Sequence, residues 1–191
     1  MDVPKANLPS SQESAISGNF FTFEWFTYLS QLFTRVGGNK DYSLGGLLTA
    51  DTAAVGNIDA GEDNLISYSM PKNTLGANND VLEITAFGTF ADNANNKTVS
   101  LVLGSTDLFN TGAVAFRNQD WCIESKIIRT GAATQKCITK FYTDYADITN
   151  IVDYVAGTEN LATTLTIKCT GEATTTNDIV QQGLIIKNFP R

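Results

Sequence analysis

The chain has 191 residues, a formal net charge of −7 and no histidine. The charge and the missing histidine each argue against several classes of function. The acidic balance disfavours binding to nucleic acid and to anionic lipid, since both need basic patches. The missing imidazole excludes Ser-His and Cys-His catalysis, histidine metal sites and histidine general bases. Apolar residues make up 42% of the chain and charged residues 17%, which predicts a real core under a weakly charged polar surface.

The first part of the chain is predicted to be an attachment region. Residues 1–18 show no sustained hydrophobic period and predict a flexible arm. Residues 19–38 predict an aromatic helix, with Asn19 as its N-cap and a glycine pair at its end. Polar and charged residues inside this short stretch argue against membrane insertion.

Apolar side chains recur at helical spacing in that stretch, and burying each one yields roughly 1.5–3 kcal/mol. They are therefore expected to pack against sister chains, the rest of the chain or another protein. The predicted helix-packing or oligomer-interface residues are Phe23, Trp25, Phe26, Leu29, Leu32, Phe33 and Val36.

Residues 39–64 are rich in Gly, Ala and Asp and predict a linker or irregular segment. From residue 65 onward, apolar residues tend to recur at every second position, which is the spacing typical of β-strands. Eight strands are predicted, at Leu65–Met70, Val81–Phe90, Thr98–Leu103, Asp107–Asn110, Trp121–Arg129, Gln135–Tyr145, Leu161–Cys169 and Ile179–Asn188.

Eight short strands separated by regular turns predict a mainly β fold, and two four-stranded antiparallel sheets would make residues 65–191 a jelly-roll β-sandwich. An immunoglobulin-like sandwich is the alternative, although its Cys…Trp…Cys spacing is absent. The segment from Asp144 to Val155 fits either a short helix or an irregular crossing loop.

No pattern of reactive residues predicts catalysis, a cofactor or a metal site. Strand carboxylates usually face solvent, and nothing in the sequence pairs any two of them. The candidates are Glu83, Asp107, Asp120, Glu124 and Asp178. Three cysteines without a CxxC motif predict free thiols, with a single disulfide as the alternative. Trp121 is interpreted as a core aromatic, with a sugar-stacking platform as the alternative.

The strand residues resemble a β-domain that recurs in structural proteins of tailed bacteriophages. The shared pattern consists of G-T-F at 88–90, N-N-K-T at 95–98, W-x-I followed by R-T-G within 121–131, and T-G-x-A followed by T-N-D-I within 170–179. An aromatic segment leading to a glycine pair is similar as well, so the resemblance covers residues 20–36 and 81–189. Residues 39–64 depart from the pattern.

The resemblance implies a non-enzymatic virion protein, made in the bacterial cytoplasm and then placed on the particle surface. The expected form is a homotrimeric tail-fibre or spike-like subunit that contacts other virion proteins through its N-terminus. A capsid decoration or head-fibre protein is one alternative, and a monomeric carbohydrate-binding module is another. The loops expected to face a host-surface glycan or protein contain Asn93, Asn95, Asn96, Asn118, Thr175 and Asn177.

Overall fold

The computed structural model describes residues 16–17, 20–21, 25–26, 28–29, 46–144 and 151–191, and most of them lie in or between β-strands. In chain order the strands are β1 (Ile16–Ser17), β2 (Phe20–Phe21), β3 (Gly46–Asp51), β4 (Val55–Gly56), β5 (Gly61–Met70), β6 (Val81–Phe90), β7 (Thr98–Leu103), β8 (Thr106–Asn110), β9 (Asp120–Gly131), β10 (Thr134–Thr143), β11 (Ile151–Gly157), β12 (Leu165–Ala173) and β13 (Ile179–Phe189). The described residues 25–26 and 28–29 have helical backbone.

Two antiparallel sheets form a sandwich-like arrangement around one hydrophobic core. The large sheet has the order β11-β10-β9-β6-β13-β3, and β4 pairs with β13 beside β3. The small sheet has the order β5-β12-β7-β8. Both sheets contribute to the same cluster of buried side chains, including Ile84 and Ile123 from the large sheet and Leu101 and Ile167 from the small one.

Alternation along the central strand β6 separates the core from the outer face of the large sheet. Leu82, Ile84, Ala86, Gly88 and Phe90 are buried, whereas the residues between them are half-buried. Successive side chains of a strand point to opposite faces, so the second set lies on the side away from the small sheet. We call that side the outer face.

The prediction of a mainly β, antiparallel sandwich is confirmed, and all eight predicted strands are present. The division into two four-stranded sheets is wrong. Strands β9, β10 and β11 follow one another as a meander in one sheet, and β3 and β4 extend that sheet on its other side. The result is seven strands against four, instead of the four against four of an eight-stranded jelly roll.

Two stretches without a clear pattern turn out to contain strands. The described part of the predicted linker, from residue 46 to residue 64, contains β3, β4 and the start of β5, so that part is not irregular. Residues 151–155, expected within a helix or loop, belong to the edge strand β11. Side chains of this edge strand are exposed on both faces: Val152 and Tyr154, which share one face, are each 59% exposed, and Asp153 on the other face is exposed as well. Their burial therefore does not follow the simple alternation that identifies a strand.

The helix predicted over residues 19–38 is not shown as a unit. Phe20–Phe21 pairs with Ile16–Ser17 as a short antiparallel ladder, so these two phenylalanines are extended instead of helical. Aromatic residues fit a strand at least as well as a helix, which explains the error. Trp25, Phe26 and Leu29 have helical backbone as predicted. Phe23, Leu32, Phe33 and Val36 lie outside the described residues, as does most of the predicted arm.

A buried polar cluster closes the end of the sandwich where β6 ends and β13 begins. The Lys97 ammonium donates to Asn93 Oδ1 at 2.8 Å and to the carbonyl of Phe116 at 2.8 Å. The Asp178 carboxylate accepts from Asn95 Nδ2 at 2.8 Å and from the amide of Thr175 at 3.0 Å. Burial alone would raise the pKa of Asp178, but these hydrogen bonds together outweigh it and lower the pKa.

Replacing Asp178 with asparagine is expected to reduce the free energy of unfolding at neutral pH by about 2 kcal/mol, because an amide replaces the charged acceptor of several hydrogen bonds. The folded-state pKa of Asp178 is depressed. Its contribution is therefore present above the ordinary pKa and lost as the pH falls through the folded-state value. The stabilities of the native protein and D178N should converge in acid.

Urea denaturation at a series of pH values measures this convergence. The matched control is Glu172→Gln, which removes an exposed carboxylate and should leave stability nearly unchanged at every pH. A D178N deficit that stays constant from neutral to strongly acidic pH would show that the Asp178 charge does not stabilise the cluster.

Candidate functional site

Two aromatic residues and one cysteine form a row across three neighbouring strands of the outer face. Phe87 of β6 pairs with Cys122 of β9, and Cys122 pairs with Tyr142 of β10. Directly paired residues point to the same side of a sheet, so the three side chains stand next to one another. All three are half-buried, although the small sheet of the described residues does not cover the outer face.

A cleft of about 610 Å³ lies at this row, near the end of the sandwich closed by the Lys97–Asp178 cluster. The residues that line it are Phe87, Gly88, Thr89, Asp120, Trp121, Cys122, Tyr142, Thr143, Asp144 and Gln182. Two carboxylates, a carboxamide and hydroxyl groups therefore accompany the aromatic rings. Among the residues that the structure describes, no lysine or arginine lines the cleft.

Trp121 is a core residue that also borders the cleft. It is only 2% exposed and packs near Phe90, with ring centroids 6.2 Å apart. The interpretation of Trp121 as a core aromatic is confirmed, and the alternative of an exposed sugar-stacking platform is wrong. Its indole N–H is buried without an acceptor among the described residues. A buried donor left unpaired costs free energy.

Gly88 explains why the cleft reaches so close to this indole. A Cβ atom at Gly88 would lie 2.6 Å from Trp121 Cζ2. The same Cβ atom would meet the backbone carbonyl oxygen of Val180 on β13 even more closely, so any larger residue would displace the tryptophan ring and distort the β6–β13 ladder. The glycine is required by close approach, not by an unusual backbone angle.

The three cysteines are free thiols in different environments. Cys122 is half-buried and lines the cleft. Burial, and next the charge of Glu124, raise the pKa of the Cys122 thiol. Burial raises the pKa of Cys137 to about 11 and that of Cys169 to about 12. The sequence-based alternative of a disulfide is therefore not realised.

The predicted receptor-facing residues lie at the same end of the sandwich as the cleft. Asn95 Nδ2 donates to Thr175 Oγ1 at 2.6 Å, and Asn93 and Asn95 both donate to Asp178. The amide of Asn177 donates to the carbonyl of Asn57 at 2.9 Å. The side chains of Asn93 and Asn95 thus hold the loop, while Asn96 and Asn118 are exposed.

The structure separates the five carboxylates considered in the sequence. Asp178 belongs to the buried cluster, Asp107 is exposed on the small sheet, and Asp120 lines the cleft. Glu83 and Glu124 lie close together on the outer face, beside a smaller groove. The expectation that the chain is not an enzyme stays a prediction.

Phe87, Tyr142, Asp144 and Gln182 were not identified from the sequence. One signal was available for Phe87, which occupies a position of β6 where the alternation of the strand calls for a polar residue. An aromatic side chain that points outward from an otherwise regular strand creates an apolar patch on the surface, and such a patch is a candidate binding site.

Within the described ranges, no group of three or more acidic or cysteine side chains is arranged to hold a metal ion. Over the same ranges, no helix combines the length and the apolar character that crossing a bilayer requires.

Comparison with protein-family models and with curated proteins finds no match. Among solved structures, the chain is similar to one described as the CBM2 module of the evolved Dit of Lactobacillus casei BL23 phage J-1. The identity is 11% and the TM-score 0.34, over 70% of this chain and 74% of that chain. A score of this size does not establish a common fold.

In the folded protein, a polar thiol reagent is expected to modify Cys122 alone, because Cys137 and Cys169 are buried. The rate should rise steadily with pH up to and beyond the ordinary thiol range, since the thiolate reacts and the pKa of Cys122 is raised. Mass spectrometry of the labelled protein counts the modified sites. Cys122→Ser should remove the fast reaction, and rapid labelling of a second thiol would contradict the burial described above.

Proposed function

We propose that this chain is a non-enzymatic structural subunit of a phage virion, and that its β-sandwich binds a surface glycan in the outer-face cleft. The observation that carries the glycan part is the cleft itself, with Phe87 and Tyr142 beside oxygen-rich side chains. The resemblance of the strand residues to virion β-domains supports the phage part. The expected site is the virion surface, on the tail or the capsid, after synthesis in the bacterial cytoplasm.

The chemistry of the cleft suits a sugar. A pyranose ring has a face of C–H groups that packs on an aromatic ring, and hydroxyl groups that donate and accept hydrogen bonds. Phe87 and Tyr142 supply the rings, while Asp120 and Asp144 supply acceptors and Gln182 supplies both donors and acceptors. Because the lining has carboxylates and no basic side chain, neutral or amine-bearing sugars are favoured over acidic ones.

The topology supports attachment at one end and binding at the other. The chain enters β3 at Gly46, which pairs with Asn188 near the end of β13. The cleft lies near the opposite end of β13, where Val180 pairs with Thr89. Eight residues of strand separate these two positions, or about 26 Å. The segment before β3 therefore joins the sandwich away from the proposed glycan site.

Contact with sister chains is proposed to use the aromatic segment before β3. Phe26 is 63% exposed and Leu29 is 37% exposed, three positions apart on helical backbone. Residues three apart share a helix face, so these two side chains form an apolar patch. Covering it with other copies of the same patch would give the homotrimer expected of a tail fibre or spike. A capsid decoration protein would use the same contacts.

Tyr142→Ala is expected to lower the affinity for a bound glycan at least about tenfold, through the loss of one wall of the cleft. Isothermal titration calorimetry against sugars selected on a glycan array measures it. Tyr154→Ala is the matched control, since Tyr154 is an exposed tyrosine on the neighbouring edge strand and does not line the cleft. Equal losses in both variants, or no glycan bound by the native protein, would refute the glycan part.

The double substitution Phe26→Ser, Leu29→Ser is expected to convert a trimer of the full-length chain into monomers, because it removes the exposed apolar patch. Light scattering at micromolar concentration gives the mass. Ile58→Ser, which changes an exposed apolar residue of the sandwich, is the control and should leave the trimer intact. A monomeric native protein would instead favour a monomeric carbohydrate-binding module.

A further inference from the structure

A second concavity lies further along the same two strands. It is a groove of about 180 Å³ lined by Glu83, Ile84, Thr85, Glu124, Ser125 and Lys126. Thr85 pairs with Glu124, and Glu83 pairs with Lys126, so these four residues form the next two rows of the outer face after Phe87–Cys122. The groove is thus aligned with the cleft by the β6–β9 ladder.

A hydrogen bond connects the two concavities. The Tyr142 hydroxyl, at the cleft, donates to Glu124 Oε2, at the groove, over 3.3 Å. At the far side of the groove Lys126 Nζ lies 3.0 Å from Glu83 Oε1. From Thr89 to Glu83 the strand advances six residues, or about 20 Å. A row of polar and aromatic side chains therefore extends over several times the width of one sugar ring.

We propose that the cleft and the groove together form one binding path for a linear polysaccharide with neutral or amine-bearing units. The inference rests on the glycan-binding function proposed above and specifies its ligand. One sugar lies between Phe87 and Tyr142 in the cleft. The following units lie along Thr85 and Glu124 towards the Glu83–Lys126 pair. A single terminal sugar would use only the cleft.

The groove favours a hydroxyl-rich ligand over an acidic one or a peptide. Glu83 and Glu124 accept hydrogen bonds from hydroxyl or ammonium groups, and Lys126, the only cation among the residues that line the groove, is already paired with Glu83. Lys140 and Lys187 occupy the strand positions paired with Glu124 and Glu83, so each carboxylate has a lysine beside it and the path carries no excess of positive charge. Strands β6 and β9 are interior strands of the sheet, with ladders on both sides. They offer no free backbone edge, so an extended peptide cannot add as a further strand.

Titration with oligosaccharide series of increasing length tests the inference in the full-length protein. The probes are cello-, malto- and chito-oligosaccharides, each from the monosaccharide to the hexasaccharide. In the series that binds, affinity should rise about tenfold between disaccharide and hexasaccharide, equivalent to two or three added hydrogen bonds. The backbone amide signals of Thr85 and Lys126 should shift in NMR spectra with the hexasaccharide and not with the disaccharide.

The double variant Glu83→Ala, Lys126→Ala separates the groove from the cleft. The pair is partly exposed, so its removal changes stability little. The variant should keep the native affinity for the disaccharide and lose the tenfold gain for the hexasaccharide. Lys136→Ala, which removes an exposed lysine outside the groove, should behave as the native protein does.

The outcomes distinguish the two proposals. Binding that is abolished by Tyr142→Ala but independent of chain length, or unaffected by Glu83→Ala, Lys126→Ala, overturns the binding path and leaves the cleft function standing. Failure of every oligosaccharide series overturns both proposals. Binding of a proline-rich peptide in place of the sugars would show that the aromatic cleft is a peptide site, and both proposals would then be wrong.

Discussion

The register of β6 against its two neighbours is the constraint on which the core and the outer face both depend. Because successive side chains of a strand alternate, a slip of one residue would exchange the buried set with the outward set. Ile84 and Ala86 would leave the core, and Glu83 and Phe87 would enter it. The core cannot accept a carboxylate without a partner, so the register that buries the apolar residues also creates the cleft.

Contacts at two glycines reinforce that register. A Cβ atom at Gly88 would approach the Trp121 ring, and one at Gly183 would lie 2.8 Å from Phe87 Cε1. The first contact holds β9 against β6 on the core side, and the second fixes a cleft aromatic on the outer side. Gly183 follows the bulge of β13 at Gln181, whose buried side chain accepts from the amide of Ile66 in the small sheet at 2.9 Å. The cleft is therefore supported by packing and by hydrogen bonds that cross the core.

The sequence predicts the strands of this fold better than it predicts their assembly. Alternation along β6, β9, β10 and β13 is regular because each has one buried face, and these strands were identified. Strands β3 and β11 lie at the edges of the large sheet and expose apolar residues such as Leu47 and Tyr154, so their pattern is obscured. Sheet order depends on pairings between strands far apart in the chain, for which one sequence contains no local signal. The cleft depends on the same pairings, since Phe87, Cys122 and Tyr142 meet only through the ladder.

The two proposed functions, glycan binding and contact with sister chains, depend on residues in separate parts of the described chain. The buried hydrophobic cluster among the described residues begins at Leu65, so the sandwich completes its core without Phe26 or Leu29. Substitutions at those two positions should therefore leave the cleft intact, since sites without shared contacts have nearly additive effects. Several copies held together through the segment before β3 would present several clefts at once. Simultaneous binding by several paths, each of them weak, would raise the overall affinity through avidity. A shallow, solvent-exposed site would then be sufficient for attachment to a polymeric surface.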